Sequence, residues 1–207
     1  TEGYTWGPYL WRTTLHNDII SVILKRANSY RGDKSATPML PFNFDDQWHL
    51  PDEAKDWFWG IFKPHLKKYL GGYSRHNQLP APTDDDISNW AFDHIWVNYY
   101  KEHDMTALHN HVGDLSIVLY LQIPTYTDKV LGTAPEPGSI TFSWGDSKKT
   151  FEPKEGELFI FPSGLHHMVM PHKTEGAERV SLSANLYYKE PFNLSLIHIS
   201  EPTRLHG

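Results

Sequence analysis

Hydrophobic positions divide the chain into two textures. Between Thr14 and Tyr30, Leu15, Ile19, Val22, Ile23 and Leu24 recur near helical spacing, which predicts an amphipathic helix. Pro51-Asp52-Glu53 opens a second helix, since proline suits a first helical turn and acids suit its positive end. Phe58, Ile61, Phe62, Leu66, Tyr69 and Leu70 supply its apolar face, Pro64 is a kink or a break, and Gly71-Gly72 is the stop. From residue 84 the pattern changes to short β-rich runs at 94–101, 106–111, 115–123, 138–144, 149–152, 157–161, 167–170 and 178–188. Gly132, Pro135, Pro137-Gly138, Gly145-Asp146 and Gly156 punctuate them. Many short strands behind a helical front predict a mostly β fold with flanking α, a sandwich or jelly roll.

The last run carries a further clue. Along 178–188 one face collects Arg179, Ser181, Ser183 and Asn185, and the other collects Val180, Leu182, Ala184 and Leu186. Either the polar face meets solvent, as is common in antiparallel sheets, or helices cover the apolar face while the polar face lines a cavity. The pattern alone leaves both open.

Composition narrows the functions available. The chain has 207 residues, 39% hydrophobic and 14% aromatic, enough for one sizeable core. Its net charge of −6 and the absence of any basic run argue against a nucleic-acid groove or an anionic membrane surface. No apolar stretch has the length of a membrane span, and the opening Thr1-Glu2-Gly3-Tyr4 has neither an initiator Met nor a signal-peptide pattern, so a soluble, cytoplasmic protein is expected. With no cysteine and thirteen histidines, any metal site must rest on imidazoles and carboxylates. Residues 194–204, LSLIHISEPTR, read like a translated sequencing adapter. Residues 194–207 are therefore set aside as a non-native tail, with the natural sequence expected to stop near Asn193 and His198 and His206 given no role.

Within LHNHVGDLSIVLYL (108–121), His109 and His111 lie two apart, so on a strand both imidazoles face one side, within reach of one ion. A lone His-x-His is weak, because this many histidines produce on the order of one such pair by chance. A second constellation lies in GELFIFPSGLHHMVMPHKTEGAERVSLSAN (156–185), where His167 precedes Val169 and Arg179 follows on the polar face described above. Two or three histidines, with or without a carboxylate, leave open positions on a first-row metal where a carboxylate-bearing cosubstrate can chelate, and an arginine can grip its far end.

The order His-x-His, SIVLYL, FPSGLHHMVMP, ERVSLSAN resembles the Fe(II)/2-oxoglutarate-dependent oxygenases. In particular it is similar to the oxygenase family common in marine phages and bacteria that is related to prolyl hydroxylases. The resemblance covers 94–188 well and the front more loosely. It implies a double-stranded β-helix (jelly roll) with N-terminal helices packed on one sheet, in a single domain over 1–193 with a helical front (1–83) and a jelly-roll core (84–193). It implies a dioxygenase that hydroxylates a substrate with release of succinate and CO2, using Fe(II), 2-oxoglutarate and O2. Carried over by position, His109, His111 and His167 hold the metal, Arg179 anchors the outer carboxylate, Tyr120 helps hold it, and Ser181 assists from the same face.

One departure stands out: most of the superfamily has Asp or Glu where this chain has His111. A three-histidine site is the favoured repair, and recruitment of Asp114 through a bend at Gly113 is the other. His166 is expected to point away, and His103 and His172 are unassigned. Trp90, Trp96, Tyr99, Tyr100 and Trp144 wall a substrate cleft or belong to the core. Three alternatives compete: a cupin-type metal enzyme, a metal-free jelly-roll binding or structural module with the histidines exposed and far apart, and a hydrolase with a metal-bound water. The primary substrate and the oligomeric state are not encoded in any motif.

Overall fold

The computed structural model describes residues 2–4, 7–37 and 44–189. Two antiparallel sheets face one another. The larger contains, in spatial order, β1 (Glu2–Tyr4), β2 (Leu10–Thr14), β9 (Glu157–Pro162), β6 (Leu115–Gln122), β11 (Arg179–Tyr188), β4 (Trp90–Tyr100) and β3 (Gln47–His49). The smaller contains β5 (Thr106–His109), β10 (His166–Val169), β7 (Ile140–Trp144) and β8 (Ser147–Phe151). Three helices complete the chain: α1 (Asn17–Ser29), α2 (Asp52–His76) and α3 (Asp84–Ser88). Each expected strand from 94 onward is present within a few residues, and the architecture is the predicted jelly roll.

The alternation along β11 resolves in favour of a lined cavity. Val180, Leu182, Ala184 and Leu186 join Ile117, Leu119, Leu158 and Ile160 in one buried cluster with Ile20, Ile23 and Ala27 of α1 and Phe58, Phe62 and Leu66 of α2. The helices thus bury their apolar stripes on the outer face of the larger sheet. That leaves the inner face of β11 turned into the roll, where Arg179, Ser181 and Asn185 are buried. Between the sheets a second cluster of Leu10, Tyr120, Phe142, Phe159 and Phe161 fills the remaining space.

The front of the chain departs from expectation in two ways. It is not only helical, because β1, β2 and β3 extend the larger sheet at both edges. And α2 passes through Pro64 and Gly71-Gly72 to His76, with Asn77 as its C-cap. Pro64 and Gly60, whose carbonyl the ring displaces, are both exposed, so water can satisfy the freed carbonyl. Gly72 is retained for proximity: a Cβ there would stand 2.1 Å from the Tyr9 hydroxyl. The actual stop comes at Gln78, in the left-handed region with φ 56°. No helix among the described residues is long and apolar enough to cross a membrane. The tail from 194 lies outside the described residues.

Candidate metal centre

Pairing between β5 and β10 sets His109 directly opposite His167. The expected strand runs to 111, but β5 ends at His109, so His111 lies two residues beyond it, in a turn. Its N–H donates to the Ser163 carbonyl (2.9 Å) and the turn closes at Gly113, whose φ of +105° and whose Leu186 carbonyl 2.9 Å from a would-be Cβ admit only glycine without strain. The three imidazoles nevertheless meet, with ring centroids 4.8, 4.2 and 5.0 Å apart and one nitrogen from each within 4.8 Å of the others. They form the one such group of His, Asp and Glu side chains found among the described residues.

Their protonation suits a cation. The Nδ1 of His109 contacts the Ala107 carbonyl (2.8 Å) and that of His167 contacts the Leu165 carbonyl (3.0 Å). Donation there fixes the hydrogen on Nδ1 and leaves the Nε2 lone pair as the ligand atom, the arrangement usual behind a metal-binding histidine. Burial lowers the pKa of all three: His109 below its ordinary value, His111 to about 3 with help from His109, and His167 well below with help from both neighbours. The Nε2 atoms of His111 and His167 stand 3.3 Å apart, near the roughly 3 Å separation of adjacent nitrogens about 2.1 Å from one ion.

Asp114 does not join them. It is exposed, its Oδ2 accepts the Tyr188 N–H (2.8 Å), and the bend at Gly113 carries it away from the imidazoles. His166 faces outward, as expected.

Across the hollow, Arg179 is 1% exposed, yet no carboxylate among the described residues stands within ion-pair distance. Its Nη1 donates to the Gly138 carbonyl (2.8 Å) and its guanidinium lies 3.9 Å over the Tyr100 ring and 5.7 Å from that of Tyr120. The Arg179 Nε and the Tyr120 hydroxyl are buried without hydrogen-bond partners among the described residues. Burial raises the Tyr120 pKa, with Arg179 opposing, so the phenol stays protonated and able to donate. Ser181, opposite Tyr120 on β6 and Asn98 on β4, lines the same space. A buried cation with vacant donors is costly unless an anion completes it.

Trp96 and Tyr100 line this hollow, whereas Tyr99 turns into the helix layer and donates to Asn28 Oδ1 (2.9 Å). Trp90 and Trp144 instead line a separate, larger cavity of about 240 Å³ with Tyr73 and Pro162. The hollow beside the imidazoles is narrow, about 30 Å³. Sequence reasoning missed Gln47, which is fully buried opposite Asn98, because the front was read as helical. The signal was a polar residue beside Trp48 in a short segment before Pro51.

Residues 94–185 match the family described as "Putative 2OG-Fe(II) oxygenase". A prolyl-4-hydroxylase of Pseudomonas putida is similar in fold, with 17% identity, a TM-score of 0.60, and coverage of 87% of this chain and 93% of that one. The viral collagen prolyl hydroxylase of Paramecium Bursaria Chlorella virus-1, solved as a 2OG complex, has 15% identity and a TM-score of 0.56 over 87% and 96%. HygX of Streptomyces hygroscopicus, solved with iron bound, has 9% identity and a TM-score of 0.55 over 88% and 82%. At these identities the likeness establishes the fold. No curated protein matches the chain.

Proposed function

We propose, on the premise that this chain is a hydroxylase-like 2OG-Fe(II) oxygenase matched to that family over residues 94–185, that His109, His111 and His167 hold the iron. Arg179, Tyr120 and Ser181 hold the outer carboxylate of 2-oxoglutarate, and the primary substrate is hydroxylated. When bound, the metal and cosubstrate supply the oxidation, in which 2-oxoglutarate, O2 and a substrate C–H become succinate, CO2 and C–OH.

The observation that carries this reading is the pairing, in one hollow, of three neutral imidazoles with a buried guanidinium that has no carboxylate partner among the described residues. Three uncharged ligands leave the ion its full charge, of which the chelating carboxylate of 2-oxoglutarate would offset one unit. Arg179 then accounts for the outer carboxylate: Nε is free to donate, and the Tyr120 hydroxyl supplies a further donor. The ring carbonyl contacts at Ala107 and Leu165 orient His109 and His167, and Phe161 and Phe142, 5.0 and 5.9 Å from the His167 ring, exclude water behind it.

Anaerobic addition of Fe(II) and 2-oxoglutarate is expected to produce the visible charge-transfer band of the chelate, and admission of O2 to produce succinate. His167→Ala is expected to remove both signals. An unchanged band in that variant would contradict the assignment.

A further inference from the structure

The inner face of the larger sheet carries a second group of unsatisfied polar atoms, at its β3–β4 edge. Gln47 is 0% exposed, and among the described residues neither its amide oxygen nor its amide nitrogen has a hydrogen-bond partner. Asn98, 3% exposed, stands directly opposite it, so the two side chains share a face. Asn98 Nδ2 donates to Ser183 Oγ (3.2 Å), which leaves its Oδ1 buried and unpartnered. Because both ends of the Gln47 amide are vacant, the conclusion does not depend on which end is assigned as nitrogen.

Buried polar groups are ordinarily paired, so three vacancies within two facing amides indicate a ligand. They amount to one donor group and two acceptors, with no charged side chain among them. Asn98 and Ser183 line the same hollow as the imidazoles. Trp96, two residues before Asn98 on β4 and so about 7 Å along the strand, has its ring 5.6 Å from that of His111.

Resting on the oxygenase reading above, we propose that the primary substrate presents a primary carboxamide to Gln47 and Asn98. The substrate carbonyl accepts from Gln47 Nε2, its N–H on the same edge donates to Gln47 Oε1, and its second N–H donates to Asn98 Oδ1. All three vacancies are then filled by one planar group. A trans peptide bond offers its N–H and C=O on opposite edges and cannot make the paired contact with Gln47. A carboxylate brings a charge for which these amides provide only one donor group. The carbon delivered to the iron lies a few bonds from the carboxamide, on the side of Trp96.

The test is anaerobic calorimetric titration of the protein, with Fe(II) and 2-oxoglutarate present and again metal-free, using benzamide, N-methylbenzamide, benzoate and 2-pyridone. Benzamide is expected to bind at least ten-fold more tightly than the other three, and Gln47→Met and Asn98→Leu are each expected to lose at least ten-fold of that affinity. Circular dichroism and thermal melting check that the variants fold. Absence of benzamide binding, equal binding of N-methylbenzamide or benzoate, or an undiminished preference in both variants overturns the proposal. Equal binding of 2-pyridone, which lacks the second N–H, overturns it in favour of a lactam. A wild-type protein that gives no Fe(II)–2-oxoglutarate band refutes the oxygenase reading instead, while the metal-free titration still decides carboxamide recognition.

Discussion

Replacing Arg179 with methionine separates the anchor from the metal site. The guanidinium is buried, held by one carbonyl and two aromatic rings, and has no carboxylate partner among the described residues. Hydrogen bonds to charged groups contribute about 1.5–3 kcal/mol each, and with both donor and acceptor charged the loss of the Arg179 contact to the cosubstrate costs about 3 kcal/mol. That corresponds to at least a 100-fold rise in the Kd for 2-oxoglutarate. At a concentration 100 times the wild-type Kd, the cosubstrate stabilises the folded protein by about 2.7 kcal/mol, and the variant by only about 0.4 kcal/mol at the same concentration. For a chain of this length each kcal/mol moves Tm by about 2–4 °C. Melting with Mn(II) and 2-oxoglutarate is therefore expected to show a rise of about 5–10 °C for wild type and about 1 °C for Arg179→Met. The Mn(II)-only shift is expected to be the same in both proteins. Equal 2-oxoglutarate shifts, or loss of the Mn(II)-only shift in the variant, would refute the anchor assignment.

Three other outcomes follow from the same geometry. Gln47→Met removes two buried polar atoms without partners, and is expected to stabilise the ligand-free protein by about 1–3 kcal/mol, seen as a Tm raised by a few degrees; a lower Tm contradicts the claim that these atoms are unsatisfied. Ligand-free stability is expected to fall with pH, because the folded-state pKa of His111, about 3, lies below the unfolded value near 6.5. The unfolded chain then takes up a proton that the folded one refuses. The His111 contribution is full above pH 6.5, about 1.4 kcal/mol smaller by pH 5.5, and lost progressively toward pH 3. His109 and His167 act in the same direction. Denaturation of the chelator-treated protein at pH 7 and pH 5.5, beside His111→Asn, measures this, and equal pH slopes in the two proteins count against it. Gly113→Ala forces a side chain into φ +105° against the Leu186 carbonyl; it is expected to cost about 1–3 kcal/mol and to weaken Mn(II) binding through displacement of His111, which calorimetric titration reads directly.

Much of this arrangement is legible in the residues. Two-residue alternation is a local property, so the strands after 94 and the split between the two faces of β11 follow from it. The choice between solvent and cavity on the Arg179 face stayed open, because it depends on where the helices bury their stripes, which periodicity does not place. What escaped notice depends on partners distant in sequence. Short strands such as β3 have three residues and no periodicity to detect, so Gln47 could not be placed opposite Asn98. Gly71-Gly72 resembles a helix stop because the reason for small residues, the Tyr9 ring packed on α2, comes from another element. The short α3 was readable: Thr83 and Asp86 form a capping box whose spacing stands in the sequence. The His-x-His pair was placed on one strand, but His111 reaches the cluster from a turn, and the bend at Gly113 that was to bring Asp114 inward carries it outward instead.

The most direct test is anomalous diffraction at the iron edge from crystals grown anaerobically with Fe(II) and 2-oxoglutarate. The account predicts one iron bound by the Nε2 atoms of His109, His111 and His167, chelated by the keto-acid end of 2-oxoglutarate, with the other carboxylate on Arg179 and Tyr120. An iron bound through Asp114, or an imidazole cluster without iron in crystals that hold it elsewhere, would contradict it.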